Sequence, residues 1–196
     1  MRFILLLVSI IWLTSCSSNQ QKEDTYPIGQ IITAKGEMLF WLYDETPRHK
    51  ASFIRLAQEN YWDTLTFNRV VEGFVIQGGC PDTPEGFSDS PYLIEPEFHD
   101  FIKHEYGALG AGRDENPGKL SAGCQLYVVH DREGIPRLDG DYMIFGKMIR
   151  GSSVLNAIAR VQTDETDTPL SPVGMDVNVI YMTARQLELY GYFVKN

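Results

Sequence analysis

Short apolar runs rich in β-branched and aromatic residues, each cut off by Gly, Pro or Asp, recur between residues 28 and 182, and they limit the fold more than any other feature. Residues 28–34 and 36–43 are two such runs, parted at Lys35-Gly36, and predict an antiparallel hairpin. Further runs at 64–71, 74–77, 107–111, 125–129, 142–149 and 177–182 predict strands. Two helices interrupt the series. Thr46-Pro47 starts the first: Thr caps, and Pro at the first helical position lacks only an N–H that would be orphaned anyway. Phe53, Leu56, Ala57 and Tyr61 then recur at helical spacing. The second helix covers residues 152–161, with Val154, Leu155 and Ile158 inward. Residues 81–105, rich in Pro, Gly, Asp and Ser, read as loop, and residues 184–193 predict an outer helix. Many short strands with isolated helices predict a mainly β, closed antiparallel barrel rather than alternating βαβ units.

The N-terminus sets the compartment. Arg2 precedes an apolar stretch over residues 3–13, followed by Thr14-Ser15-Cys16. That stretch is too short to span a bilayer but suits a signal-peptide core. Leu13-Thr14-Ser15-Cys16 resembles a bacterial lipobox, in which the Cys is acylated and becomes the mature N-terminus. An ordinary signal peptide cleaved near Ser15, or a short membrane anchor, is the alternative. The expected organisation is a signal peptide over 1–15, a lipidated flexible tether over 16–27 and one domain over 28–196. The expected location is the bacterial cell envelope, lipid-anchored to the membrane, with the domain in the periplasm or at the cell surface. An oxidising compartment permits a disulfide between Cys80 and Cys124. Whether their Cβ atoms meet is left open by the sequence.

Several function classes drop out. Acidic residues outnumber basic ones, 26 to 17, for a net charge of −9. Such a chain is repelled by phosphate backbones, which excludes nucleic acid as a partner. There is no G-x-S-x-G, P-loop or H-E-x-x-H. His49, His99, His104 and His130 stand in dissimilar contexts, and no metal is expected. The Gly107–Gly112 run lacks the helix and downstream acid of a dinucleotide loop, so no cofactor is expected either. An enzyme here works without a nucleophile, metal or nucleotide.

Phe67-Asn-Arg-Val-Val-Glu-Gly-Phe-Val-Ile-Gln-Gly-Gly79 closely resembles the signature of the cyclophilins, barrel-shaped peptidyl-prolyl isomerases. Three later blocks follow in the family's order: Gly123-Cys-Gln-Leu-Tyr-Val128, Leu138-Asp-Gly-Asp-Tyr-Met-Ile-Phe-Gly-Lys147 and residues 151–158. The resemblance covers about residues 28 to 182 and implies a closed eight-stranded antiparallel barrel capped by two α-helices, to which the segment over 184–193 would add a C-terminal helix. It implies cofactor-free, non-covalent catalysis of X–Pro isomerisation; the N-terminal leader makes exported proteins the expected clients, and a monomer is expected because nothing in the sequence suggests a large exposed interface. Arg69 is the catalytic residue the resemblance implies. Phe74, Val75, Tyr127 and Leu138 would wall a proline pocket, although each also fits ordinary core. Gln77 and Gln125 match the family's paired glutamines, expected to bond the substrate backbone or orient Arg69. Gly112 and Arg113 match the stretch that pairs with the substrate main chain.

The chain departs from the family pattern at Asn68 and Tyr142, each in place of His, and at Val75, in place of Met. Arg137 replaces a Trp that closes one side of the pocket. Tyr142 is retained among the substrate-binding residues. The loop over 114–122 is longer than in the minimal family member and lies beside the groove. Two rival functions stand beside the isomerase: a chaperone or assembly module that holds Pro-containing segments with incidental turnover, and a structural lipoprotein.

Overall fold

The computed structural model describes residues 23–80, 90 and 92–194. The apolar leader, Cys16 and most of the tether lie outside the described residues. In chain order the elements are β1 (Thr25–Thr33), β2 (Gly36–Leu42), α1 (Pro47–Gln58), β3 (Thr66–Val70), β4 (Val75–Gly78), β5 (Leu93–Ile94), β6 (Ala108–Ala111), β7 (Ser121–Ala122) and β8 (Leu126–Val129). There follow β9 (Met143–Arg150), α2 (Ser152–Ala159), β10 (Val173–Gly174), β11 (Asp176–Thr183) and α3 (Ala184–Glu188), with a 3₁₀ turn at Pro136–Leu138 before β9.

Nine strands form one antiparallel sheet in the order β10-β3-β4-β8-β6-β9-β2-β1-β11, and β5 pairs with β7 in a separate ribbon. The expected closed eight-stranded barrel is therefore corrected to a curled sheet with two edges, β10 and β11. Only Met175 joins these edge strands, too little chain for a turn that would lay them side by side. Instead the Met175 N–H donates to the Leu65 carbonyl at 3.0 Å, and its side chain enters the core. The expected hairpin of β1 and β2 is present, with Thr33 opposite Gly36. Its first strand begins earlier than expected: Thr25 to Pro27 pair with Thr183 to Tyr181, so these tether residues belong to the sheet.

The main core buries Phe40, Phe67, Ile76, Leu109, Val128 and Phe145 from the sheet and Trp62 from the turn after α1. Helix α1 adds Phe53 and Leu56, and α2 adds Leu155 and Ile158. Each such side chain contributes about 1.5–3 kcal/mol when fully buried. Sequence periodicity located both helices to within a few residues. It overestimated α3, which starts at a capping box between Thr183 and Gln186 and has ended before Gly191, where φ is +74°. Beyond that glycine the chain turns back and Tyr192 stacks on Trp41 at 4.8 Å.

The start of α1 holds a second correction. Thr46 makes no side-chain cap; its hydroxyl turns to the Tyr43 carbonyl. The free N–H groups of Arg48 and His49 donate to the Glu97 carboxylate at 3.0 and 3.1 Å, and His49 Nδ1 meets the same carboxylate at 2.7 Å. A carboxylate at this positive helix end serves as cap and counter-charge together. Burial pushes the His49 pKa down, and this outweighs the upward pull of Glu97. Burial pushes Glu97 up, but its hydrogen bonds from His49 and the helix amides win, leaving it below the usual carboxylate range.

Both shifts act in one direction. Below the ordinary histidine pKa of 6.5 the unfolded chain takes up a proton that folded His49 resists, so stability falls with pH. Below 4.5 the unfolded carboxylate protonates before folded Glu97 does, and a further loss follows. Thermal unfolding midpoints measured from about pH 8 to about pH 3 should decline through both windows. Glu97→Gln should lower stability near neutrality by about 1–2 kcal/mol and flatten the more acidic step. An unchanged acid limb in that variant counts against the assignment.

Candidate active site

Strands β3 and β4 pair irregularly: Phe67 opposes Gly78 and Arg69 opposes Gln77, so the ladder slips at Asn68. The slip sends Phe67 into the core and leaves Arg69 on the rim, its side chain 41 % exposed. Arg69 Nη1 donates to Gln77 Oε1 at 3.3 Å, and Nε faces Asp167 Oδ2 at 3.7 Å. Asp167 is itself placed by its carbonyl, which accepts from the Val70 N–H at 2.8 Å. An exposed ion pair of this kind contributes little to stability, so its effect here is aim. Arginine carries five N–H donors, and these two partners leave donors free at the rim.

Arg69 borders a cavity of about 340 Å³, lined also by Phe74, Val75, Gln77, Gly112, Arg113, Tyr127, Arg137, Leu138 and Tyr142. Nine of the ten residues expected at the site thus meet in one place. Gln125 does not line the cavity. It is buried, and its Oε1 accepts the Cys80 N–H at 3.1 Å, so it braces the wall from behind. Gly112 lines the cavity, but its N–H donates to the Gln125 carbonyl and its own carbonyl accepts from Ala122, each at 2.8 Å. Among the described residues the Arg113 main chain makes no such bonds, so its N–H and carbonyl are open to a strand-like partner.

The floor depends on Tyr127 on β8. Its ring lies across β6 at Gly110, where a Cβ would stand 2.1 Å from the ring, so only glycine admits it. Its hydroxyl donates to the Met143 carbonyl at 3.0 Å and meets His104 Nε2 at 2.8 Å. His104 Nδ1 meets Asp139 at 2.8 Å, and the imidazole stacks parallel on the phenol. Burial pushes the His104 pKa down despite Asp139. Burial pushes Asp139 up, but bonds from His104 and Lys103 outweigh it, and the carboxyl lies below its usual range. This supporting chain was missed in the sequence, although Asp139 stands inside the Leu138-Asp-Gly block. Nothing in the spacing of His104 and Tyr127 announces that they touch.

Three guanidiniums frame the opening. Arg113 stands 4.5 Å over the Tyr142 ring and bonds Asp141 at 3.0 Å. Arg69 and Arg137 stand over the same Phe74 ring, at 5.6 and 5.0 Å. The loop over 114–122 is pinned nearby: Asn116 exchanges bonds with Leu120 in both directions, and Lys119 reaches the Gly140 carbonyl and Asp141. Cys80 and Cys124 are disulfide-bonded, their Cα atoms 4.9 Å apart. Among the described residues no group of three or more His, Cys, Asp or Glu is placed to hold a metal ion.

The family model for the cyclophilin-type peptidyl-prolyl cis–trans isomerases matches residues 28–179. A peptidyl-prolyl cis–trans isomerase of Arabidopsis thaliana is 35 % identical over 133 residues, which is 67 % of this chain and 79 % of that protein. Peptidyl-prolyl cis–trans isomerase B of Bacillus subtilis is 40 % identical over 114 residues, 57 % of this chain and 76 % of its own. Among solved structures, a Cryptosporidium parvum cyclophilin-type isomerase, crystallised in the presence of the dipeptide Ala-Pro, superposes with a TM-score of 0.68. It is 23 % identical, and the match covers 80 % of this chain and 99 % of that one, a likeness of fold.

Proposed function

Because the chain belongs to the cyclophilin-type peptidyl-prolyl cis–trans isomerases, we propose that the Arg69 cavity is where it rotates X–Pro bonds, and that its clients are exported proteins. The barrier to be lowered is about 18–20 kcal/mol, because the nitrogen lone pair is delocalised into the carbonyl. A fixed cation that donates to the prolyl nitrogen localises that lone pair and weakens the partial double bond. The donation strengthens as the bond twists, so it favours the transition state over both ground states. Arg69 is suited to this: it stays protonated, and Gln77 and Asp167 aim it while donors remain open. That exposed, aimed guanidinium at the lip of an apolar cavity is the observation that carries the reading.

In the same reading Phe74, Val75, Tyr127 and Leu138 hold the proline ring, and Tyr142 extends the wall. The Arg113 main chain pairs with the substrate backbone, while Gln125 keeps the wall in register from behind. Acceleration of a chromogenic X–Pro peptide by the purified chain tests the site; a rate equal to the uncatalysed one would overturn it.

The location belongs to the proposal as well. Cys16 follows an apolar leader and small residues, as an acylated N-terminal Cys does, and a buried disulfide suits an oxidising compartment. In bacterial cells fed labelled palmitate, the chain should take up label and sediment with membranes. Cys16→Ser should lose both properties, and retained label in that variant would sink the anchor.

A further inference from the structure

We propose that Arg137 makes this isomerase selective for segments that carry an acidic side chain beside the proline. The proposal rests on the cavity being the proline site. The chain as a whole is acidic, with a net charge of −9, yet the cavity lining holds Arg69, Arg113 and Arg137 and no carboxylate. Two of the three are compensated from outside the lining. Arg69 faces Asp167 at 3.7 Å, and Arg113 bonds Asp141 at 3.0 Å. Asp141 is shared with Lys119 at 3.1 Å, so one positive charge remains uncompensated there too.

Arg137 differs. Among the described residues no carboxylate lies within ion-pair distance of it, and its guanidinium stands over the Phe74 ring at 5.0 Å. A contact of a cation with a ring face fixes the guanidinium in place without neutralising it. The 3₁₀ turn at Pro136–Leu138 presents Arg137 next to Leu138, which lines the same cavity. A proline seated between Phe74 and Leu138 therefore brings its neighbouring residue to an anchored, unpaired cation. A carboxylate there gains a fork-shaped partner; an ammonium meets repulsion from two guanidiniums over one ring. A local positive field on a negative protein also draws acidic segments toward this opening rather than to the rest of the surface.

The test uses the full chain and two peptide sets, one with Glu, Gln or Lys before the proline and one with the same residues after it. At one of these positions kcat/KM should run Glu above Gln above Lys, with Glu over Gln by about two- to fivefold, the scale of an exposed ion pair. The ratio should shrink toward one at about 0.5 M salt, and in Arg137→Gln at low salt. The same kcat/KM for all three residues at both positions would overturn the proposal. So would a charge order that survives in Arg137→Gln, since Arg69 or Arg113 would then be its source. Absence of acceleration with every peptide is a different result: it would overturn the site assignment and the proposal with it.

Discussion

Arg69→Ala is expected to lower kcat/KM for an X–Pro peptide by about 10²–10³-fold, the usual cost of removing one fixed donor from a developing charge. That factor is about 2.7–4 kcal/mol, a modest part of the roughly 18–20 kcal/mol barrier. Peptide binding should persist, because Phe74, Val75, Tyr127 and Leu138 still offer the apolar cavity. Stability should change little: the side chain is 41 % exposed and its ion pair lies on the rim. Arg69→Lys should recover only part of the rate, since a point charge cannot donate to Gln77 and to a prolyl nitrogen from one planar fork. The measurements are isomerisation rate and peptide affinity on the same three proteins. Equal rates for wild type and Arg69→Ala would sink the catalytic role; lost binding with unchanged turnover per bound peptide would reassign it to binding.

That expectation comes from the resemblance of the Phe67–Gly79 block to the family signature, and the β3–β4 pair brings its Arg69 and Gln77 into contact. Local pattern also yielded α1, α2 and the β1–β2 hairpin. What was not legible depends on groups distant in the chain. Glu97 displaces Thr46 as the cap of α1 from 48 and 49 residues away, so no capping pattern reports it. Strands β5, β7 and β10 are two residues each, too short for any periodicity. Closure of the sheet failed for a topological reason, the single residue between β10 and β11, which strand counting does not see. The buried His104 gave no sign of its place because its partners, Asp139 and Tyr127, lie on other elements. Gln125 shows the opposite case: the family pattern singles it out beside Gln77, but its Oε1 is turned to the Cys80 N–H and it does not line the cavity.

Loss of the Cys80–Cys124 bond is expected to be the largest single cost to stability. The bond closes 44 residues of chain, and the loop-entropy relation gives about 4 kcal/mol at 25 °C for a loop of that size. For a domain of this length that corresponds to a fall in Tm of about 8–16 °C. The position supports a large effect. Cys80 follows β4 and Cys124 precedes β8, so the bond ties the two strands just beyond their last pair, Gly78 with Leu126. The surrounding backbone is already committed: Trp62 Nε1 donates to the Cys124 carbonyl at 2.9 Å, and a Cβ at Gly79 would come within 2.6 Å of that oxygen. The folded state should therefore keep its shape without the bond, and the cost should fall on the freed unfolded chain. Cys80→Ala/Cys124→Ala, which buries no new polar group, should unfold at lower temperature, and reductant should move only the wild type. The cavity lining contains neither cysteine, so turnover well below the new midpoint should remain near wild type. Midpoints that coincide with and without reductant would exclude the bond. A shift of the expected size would make full stability conditional on an oxidising compartment, a dependence that chain retained in a reducing cytoplasm does not satisfy.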